Sequence, residues 1–258
     1  MTILSPKEET ELRQRFASVL ARKQKAESGA AKDRISLLVA ISKWHEAAKL
    51  AVIARVWREL APDLPIIFAE NYMQEALNKQ AELNRLLQNE AELSIHWHFT
   101  GHLQSNKGRQ LPGNFELLHT LDSLSLAQNL HQNLQKTLRG SERELPAPQK
   151  TLVQINIGEE QQKSGVLPDG AAAFVKSLLT YPAVAVQGLM CLPPLTEKAE
   201  DSRPYFIRLR QLRDSLEQEL GLALPHLSMG MSQDFEVAIE EGATLIRVGT
   251  DIFGERHK

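Results

Sequence analysis

Short apolar segments rich in β-branched and aromatic residues alternate with longer amphipathic segments along almost the whole chain. The short segments cover residues 35–42, 65–69, 95–100, 115–121, 151–157, 184–190, 225–229 and 244–249. Strand–helix alternation is typical of a mostly parallel sheet, and eight strands are the number that closes a (β/α)8 barrel. A doubly wound sheet is the competing architecture, but the near-regular spacing is not accompanied by a Gly-rich dinucleotide-binding turn. The sequence therefore predicts an α/β fold, a single (β/α)8 TIM barrel domain over residues 1–258.

An extra helix is predicted before the first strand. Ser5 is a candidate N-cap, Pro6 suits the first helical position and Glu8 completes a capping box. Gly29 is the predicted end of this helix. The helix lies outside the eightfold alternation, so we expect it to cap the barrel.

The amphipathic segments between the strands carry apolar residues at helical spacing. They predict helices over residues 46–60, 71–90, 122–139, 169–179, 204–220 and 232–241, with a weaker signal over 103–110. The longest loop-like stretch, residues 140–149, is interpreted as a surface insertion within the barrel and not as a linker between domains.

Composition excludes several classes of protein. The 258 residues include 30 Lys and Arg against 32 Asp and Glu, so no global basic field favours nucleic acid. The lone cysteine, Cys191, can form neither an internal disulfide nor a Cys-rich zinc site. The N-terminus lacks the pattern of a signal peptide, and no apolar run reaches the ~18–20 residues that span a membrane. We therefore expect a cytoplasmic protein that does not contact membranes.

Polar and small residues follow the predicted strands at one end, where (β/α)8 barrels place their active sites. The last two such loops, LSMGMS (227–232) and VGTDIFG (248–254), combine glycines with hydroxyl donors. Glycines let the backbone approach an anion closely, and barrels often bind phosphate at these two positions. Either loop alone is better interpreted as an ordinary turn. Together they favour a phosphate site.

Two basic residues add to this pattern. Arg247 interrupts an otherwise apolar strand and needs a partner, either a ligand or a carboxylate such as Glu70. Lys43 follows the first strand, and a neutral lysine amine is the nucleophile that forms imines with aldehydes. A strand-end lysine is ordinarily only solvated, but a lysine, an arginine and a phosphate site together describe a pocket for pyridoxal 5'-phosphate (PLP). His96 and His98 alternate on one strand, and packing is the better interpretation than a metal site.

The chain resembles the pyridoxal phosphate homeostasis proteins, the YggS-type group, over nearly its whole length. The resemblance rests on VAISK (39–43), FAENYMQE (68–75), WHFTGHLQSNK (97–107), INIGEEQQKSG (155–165), GLMCLPP (188–194), LSMGMSQDFEVAIEEGAT (227–244) and IRVGTDIFGER (246–256). It implies a barrel like the N-terminal domain of alanine racemase, and PLP held as an internal aldimine on Lys43. It also implies five further cofactor-binding residues: Asn71 lining the pocket, Arg247 at the pyridine nitrogen, and Ser228, Gly249 and Thr250 at the phosphate.

The resemblance implies a role in intracellular PLP homeostasis without catalytic residues, with PLP-dependent apoenzymes as possible partners. The alternative is a PLP-dependent amino-acid racemase, whose second base would need an added domain after residue 258. A barrel that binds another phosphorylated ligand leaves Lys43 unexplained. The chain departs from its family at Trp44 and His45, where a Thr-Lys-Pro-like run is usual. A monomer is expected, with a dimer as the alternative.

Overall fold

The protein is a closed barrel of eight parallel strands in sequential order, β1 to β8, in a computed structural model. The structure describes residues 4–29, 36–139 and 147–255. The strands are β1 (Leu37–Ile41), β2 (Ile66–Glu70), β3 (Ile95–Phe99), β4 (Leu117–Leu121), β5 (Gln149–Ile155), β6 (Val184–Cys191), β7 (His226–Ser228) and β8 (Leu245–Val248). Pairing of β1 with β8 closes the barrel. The predicted (β/α)8 architecture is confirmed, because each of the eight strands overlaps one of the eight predicted segments.

Helices surround the barrel and connect its strands. They are α1 (Pro6–Gly29), α2 (Ala47–Leu60), α3 (Met73–Leu86), α4 (Leu124–Arg139), α5 (Ala171–Leu178), α6 (Arg203–Leu220), α7 (Phe235–Glu240) and α8 (Thr250–Phe253). Short 3-10 helices cover Ser105–Gln110, Pro168–Gly170 and Ala199–Ser202. No helix among residues 4–29, 36–139 and 147–255 is long and apolar enough to cross a membrane.

Side-chain alternation along the strands produces two apolar layers. Residues of one parity fill the barrel interior, where Val39, Ile67, Leu117, Leu152 and Leu245 pack together. Residues of the other parity face the helices and join a larger core. This period of two is the geometry of every strand, so a residue two positions beyond an interior residue also points inwards.

The predicted N-terminal helix is confirmed, together with its capping box. The Ser5 amide donates to Glu8 Oε2 over 2.8 Å, and the Glu8 amide donates to Ser5 Oγ over 3.3 Å. The helix buries Leu12 and Phe16, and the ring of Phe16 packs 5.0 Å from that of Trp57 in α2.

The differences from the sequence-based expectations lie between the strands. Within the weakly predicted segment 103–110, Ser105–Gln110 form a 3-10 helix. Helix α3 ends at Leu86, four residues before the predicted position 90. The short helix α8 is absent from the helices that the sequence predicts. Most of the predicted insertion at 140–149 lies outside the described residues; of it, Ala147 and Pro148 lead directly into β5.

A bulge in β6 depends on one glycine. Thr151 pairs with Val186 and Leu152 pairs with Gly188, so Gln187 is an extra residue in the ladder. Gly188 has a φ of 151°, and an added Cβ would lie 1.9 Å from the His226 carbonyl oxygen. Because backbone cannot move away as a flexible side chain can, β6 and β7 can pair here only with glycine.

We expect Gly188→Ala to lower the free energy of unfolding by about 2 kcal/mol or more, because the new methyl group forces β6 and β7 apart. Urea denaturation measures the loss. Gly29→Ala is the matched control, since a Cβ there meets no atom of the described residues within 4 Å, and it should change stability by less than about 0.5 kcal/mol. Equal stability of the two variants would contradict the role assigned to Gly188.

Candidate functional site

A large cavity opens at the carboxyl ends of the strands. It has a volume of about 1270 Å³, and its lining includes Lys43, Arg247, Gly249 and Thr250. Lys43 lies two residues beyond the end of β1, and Gly249 follows the last residue of β8 directly. The structure therefore brings together four of the six residues predicted from the sequence.

Lys43 lies in the turn between β1 and α2 and is partly buried. The next residue, Trp44, has a φ of 70°, and its amide donates to Glu75 Oε1 over 3.0 Å. The Trp44 ring is half exposed and packs 5.0 Å from the Tyr72 ring. His45 stacks on Phe253 of α8 at 4.5 Å. Trp44 and His45 therefore line the cavity beside Lys43.

A buried ion pair supports the backbone next to Lys43. Glu70 and Lys79 are both buried, and Lys79 Nζ lies 2.5 Å from Glu70 Oε1 and 2.8 Å from the Ser42 carbonyl oxygen. The Ser42 hydroxyl donates to the same Glu70 oxygen over 2.5 Å. Burial raises the pKa of Glu70, opposed by the nearby Lys79. Glu70 is thus engaged by Lys79, and the expectation that a carboxylate such as Glu70 pairs with Arg247 is wrong.

Arg247 is 3% exposed and has hydrogen bonds only to neutral acceptors among the described residues. Nη1 donates to Ser228 Oγ over 2.6 Å, and Nη2 donates to the Cys191 carbonyl oxygen over 2.9 Å. Burial lowers the pKa of Arg247, but a guanidinium stays charged in proteins. Arg247 therefore gives the cavity lining a positive charge that forms no hydrogen bond with a described carboxylate.

Ser228 is buried at the end of β7 and continues the polar contacts inwards. Its hydroxyl lies 2.8 Å from His119 Nδ1, and His119 Nε2 lies 2.9 Å from His98 Nδ1. Burial lowers the pKa of His98 to about 3 and lowers the pKa of His119 well below its usual value. His96, the other histidine of the strand, instead contacts Glu116 at 2.7 Å. The two histidines of β3 thus have separate partners.

The loops after β7 and β8 have the tight backbone that the sequence predicts. Gly230 has a φ of 84°, and a Cβ there would lie 2.6 Å from the Cβ of Ala238. A Cβ on Gly249 would lie 3.3 Å from that of Ile41. Thr250 begins α8, in which the Asp251 amide donates to Ser232 Oγ over 3.5 Å and the Ile252 and Phe253 amides donate to the Gly249 carbonyl oxygen. Ser232 and Thr250, which both carry hydroxyl groups, line the cavity at these two loops.

Arg22 of α1 ties these two loops together from outside the barrel. Its guanidinium donates to Glu236 over 2.6 Å, to Asp251 over 2.5 Å and to the Ser232 carbonyl oxygen over 3.2 Å. It also lies 4.6 Å from the centre of the Phe235 ring. Arg22 lines the cavity, and nothing in the sequence pattern of α1 distinguishes it from the helix's other arginines.

The other two predicted residues do not line the cavity. Asn71 Oδ1 accepts a hydrogen bond from the Thr100 hydroxyl over 2.8 Å, and the hydroxyl of Ser228 contacts Arg247 and His119. Ser232, four residues after Ser228, does line it. So does Lys163, whose Nζ donates to the Pro193 carbonyl oxygen over 3.1 Å. Both belong to segments that carry the family resemblance, which is the signal that could have identified them.

Comparison with known proteins gives consistent matches. The family model described as alanine racemase, N-terminal domain, matches residues 38–257. A protein of Aquifex aeolicus named pyridoxal phosphate homeostasis protein is 45% identical over 190 residues, 74% of this chain and 77% of its own. A protein of Pseudomonas aeruginosa with the same name is 37% identical over 242 residues, 93% of this chain and 94% of its own.

A solved structure with a bound cofactor is also similar. The structure of PipY from Synechococcus elongatus with PLP bound has a TM-score of 0.72 and 32% sequence identity. The match covers 94% of this chain and 100% of that one. The fold and the sequence thus point to the same group of proteins.

The buried His98 should make stability depend on pH. Its pKa of about 3 in the folded protein lies below the ~6.5 of an unfolded histidine, so the unfolded chain binds more protons between these values. The contribution is therefore complete above pH ~6.5 and lost as the pH falls, with a slope of about 1.4 kcal/mol per pH unit. Urea denaturation between pH 7.5 and 5 should show a shallower pH dependence for His98→Gln than for the wild type.

His102→Gln is the matched control, because the side chain of His102 is 67% exposed. It should leave the pH dependence close to that of the wild type. Parallel curves for the wild type and His98→Gln would contradict the assignment.

Proposed function

This chain belongs to the alanine racemase N-terminal domain family and, within it, to the pyridoxal phosphate homeostasis proteins, and on that premise we propose that it binds PLP in the cavity at the carboxyl ends of the strands and serves in PLP homeostasis. The observation that carries the proposal is the pairing of a partly buried lysine with a buried arginine in one cavity. Lys43 offers an amine, and Arg247 offers a positive charge that contacts no described carboxylate.

The donor set fits the cofactor. Lys43 would bind the aldehyde carbon covalently, because it lines the cavity, whereas the nearby Lys79 amine is buried in an ion pair with Glu70. Arg247 would donate to the pyridine nitrogen, and Gly249 and Thr250 would hold the phosphate at the start of α8. The cavity is large enough for such a ligand, since small-molecule sites span ~300–1,000 Å³.

Ser228 and Asn71 have less direct positions. The phosphate contact of Ser228 stays a prediction, because the Ser228 hydroxyl contacts Arg247 and His119 and Ser228 does not line the cavity. Ser232, which lines the cavity in the same loop, is the additional hydroxyl that we assign to the phosphate. Asn71 would act on the pocket wall through its contact with Thr100.

A carrier role fits the arginine better than catalysis does. Bound PLP supplies an electron sink for reactions at amino-acid carbons, and the sink is strongest when its pyridine nitrogen is protonated. Arg247 can only donate hydrogen bonds and keeps its own proton, so it leaves the pyridine nitrogen unprotonated. We propose PLP-dependent apoenzymes as the partners that exchange cofactor with this site.

Covalent attachment at Lys43 can be tested directly. After incubation with PLP and reduction with borohydride, the wild-type protein should carry one added cofactor mass on the peptide that contains Lys43, and the unreduced protein should absorb in the visible region. Lys43→Ala should lose both signals, because the other two nearby amines are engaged: Lys79 pairs with Glu70, and Lys163 donates to the Pro193 carbonyl oxygen. Lys49→Ala on α2 is the control and should keep both. Attachment in the wild type to lysines other than Lys43 would refute the assignment.

The phosphate role of Thr250 gives a second test. Thr250→Val removes a hydroxyl from the start of α8 and should raise the dissociation constant for PLP about tenfold, the size of one hydrogen bond to a charged group. Fluorescence titration measures it. Thr10→Val on α1 is the control, because the exposed Thr10 hydroxyl donates to the Pro6 carbonyl oxygen within its own helix. Unchanged affinity in Thr250→Val would show that its hydroxyl does not contact the phosphate.

A further inference from the structure

A chain of buried hydrogen bonds crosses the barrel interior from one end to the other. It runs from Arg247 in β8 through Ser228 in β7 and His119 in β4 to His98 in β3, with successive distances of 2.6, 2.8 and 2.9 Å. None of the four residues is more than 4% exposed. Arg247 lines the large cavity, and His98 lines a second cavity of about 180 Å³ that also includes Leu37, the first residue of β1.

The direction of every bond in this chain follows from its first member. Arg247 can only donate, so Ser228 Oγ accepts from it. The Ser228 proton then has one described acceptor, His119 Nδ1, and a buried hydroxyl without an acceptor is costly. His119 must therefore carry its proton on Nε2 and donate it to His98 Nδ1. His98 in turn carries its proton on Nε2, and both rings are neutral.

We propose that His119 and His98 are positioning residues for Arg247, an inference that rests on PLP binding as the function of the large cavity. The neutral rings make Ser228 a fixed acceptor, which holds one edge of the guanidinium against the barrel wall. The Cys191 carbonyl oxygen holds the other terminal nitrogen. The remaining N–H groups of Arg247 are left for a ligand atom that offers a lone pair, as a pyridine nitrogen does.

The charged surroundings agree with neutral rings. Burial disfavours a positive charge on the His119 ring, Arg247 opposes it further, and His98 and His226 would oppose it if they were charged. Around His98 lie Glu116, which favours a charge, and His96, His226 and Lys150, which oppose it. A proton on Nδ1 of His119 would also point at the Ser228 hydroxyl proton and break the chain.

The chain itself can be observed without cofactor. Nitrogen-15 NMR of histidine-labelled, cofactor-free protein at pH 7 should show His119 and His98 as neutral rings with the proton on Nε2. Resonances are assigned with the variants His119→Asn and His98→Gln. A proton on Nδ1 of His119, or a charged ring at either position, would overturn the proposal.

The effect on Arg247 is measured with pyridoxine 5'-phosphate, which has an alcohol in place of the aldehyde and so cannot bind covalently to Lys43. His119→Leu removes the acceptor for Ser228 and should weaken binding about tenfold. His119→Asn places an amide oxygen near the position of Nδ1 and should recover most of the affinity. His96→Gln, on the same strand as His98 but outside the chain, should bind like the wild type. Circular dichroism confirms that each variant is folded.

The same variants loaded with PLP supply a spectroscopic readout. The visible absorption maximum should shift in His119→Leu and stay at the wild-type position in His119→Asn. The reason is that the hydrogen bond to the pyridine nitrogen changes the absorption energy of the cofactor ring. Equal binding and equal spectra for the wild type and a folded His119→Leu would overturn this inference alone. Failure of the wild-type protein to bind either compound would overturn the proposed function and this inference with it.

Discussion

Closure of the sheet is the constraint on which the rest of the structure depends. Once β1 pairs with β8, every strand has one face inside a narrow interior and one face against helices. The interior holds apolar residues such as Val39 and Ile67, and beside them a polar chain that runs from Arg247 to His98. At the carboxyl ends of the strands, Lys43 and Arg247 line one cavity. The candidate site thus lies directly beyond the packed interior.

The barrel handles its buried charges in two different ways. Glu70 and Lys79 neutralise each other, and the serine hydroxyl beside them adds a hydrogen bond. Removing Lys79 would leave the buried Glu70 carboxylate without its counter-charge, which is strongly destabilising. Lys79 itself has a second partner, because its Nζ also lies 3.2 Å from Glu75 Oε1. Arg247 has no such described partner and relies on two neutral oxygen atoms. A buried charge held in this way is costly to the folded protein, and an electron-rich ligand reduces that cost.

Periodicity explains how much of this arrangement could be predicted from the sequence. The eight strands, the leading helix and the strand-end positions of Lys43, Gly249 and Thr250 follow from local patterns that the structure confirms. The partner of Arg247 could not be predicted, because its choice depends on which strands meet across the barrel. Arg22 shows the same limit, since its contact Asp251 is 229 residues away in sequence. The position of Ser228 depends on His119, which no motif singled out.

The leading helix has a role that its place outside the eightfold repeat does not suggest. Arg22 connects α1 to α7, to α8 and to the loop before α7 through three separate hydrogen bonds. Docking of the helix and the positions of these loops therefore share one set of contacts. By thermodynamic reciprocity, if docking of the helix favours the binding of a ligand to these loops, the ligand favours docking of the helix by the same factor. Detachment of the N-terminal segment would then weaken binding at Asp251, 229 residues away in sequence from Arg22.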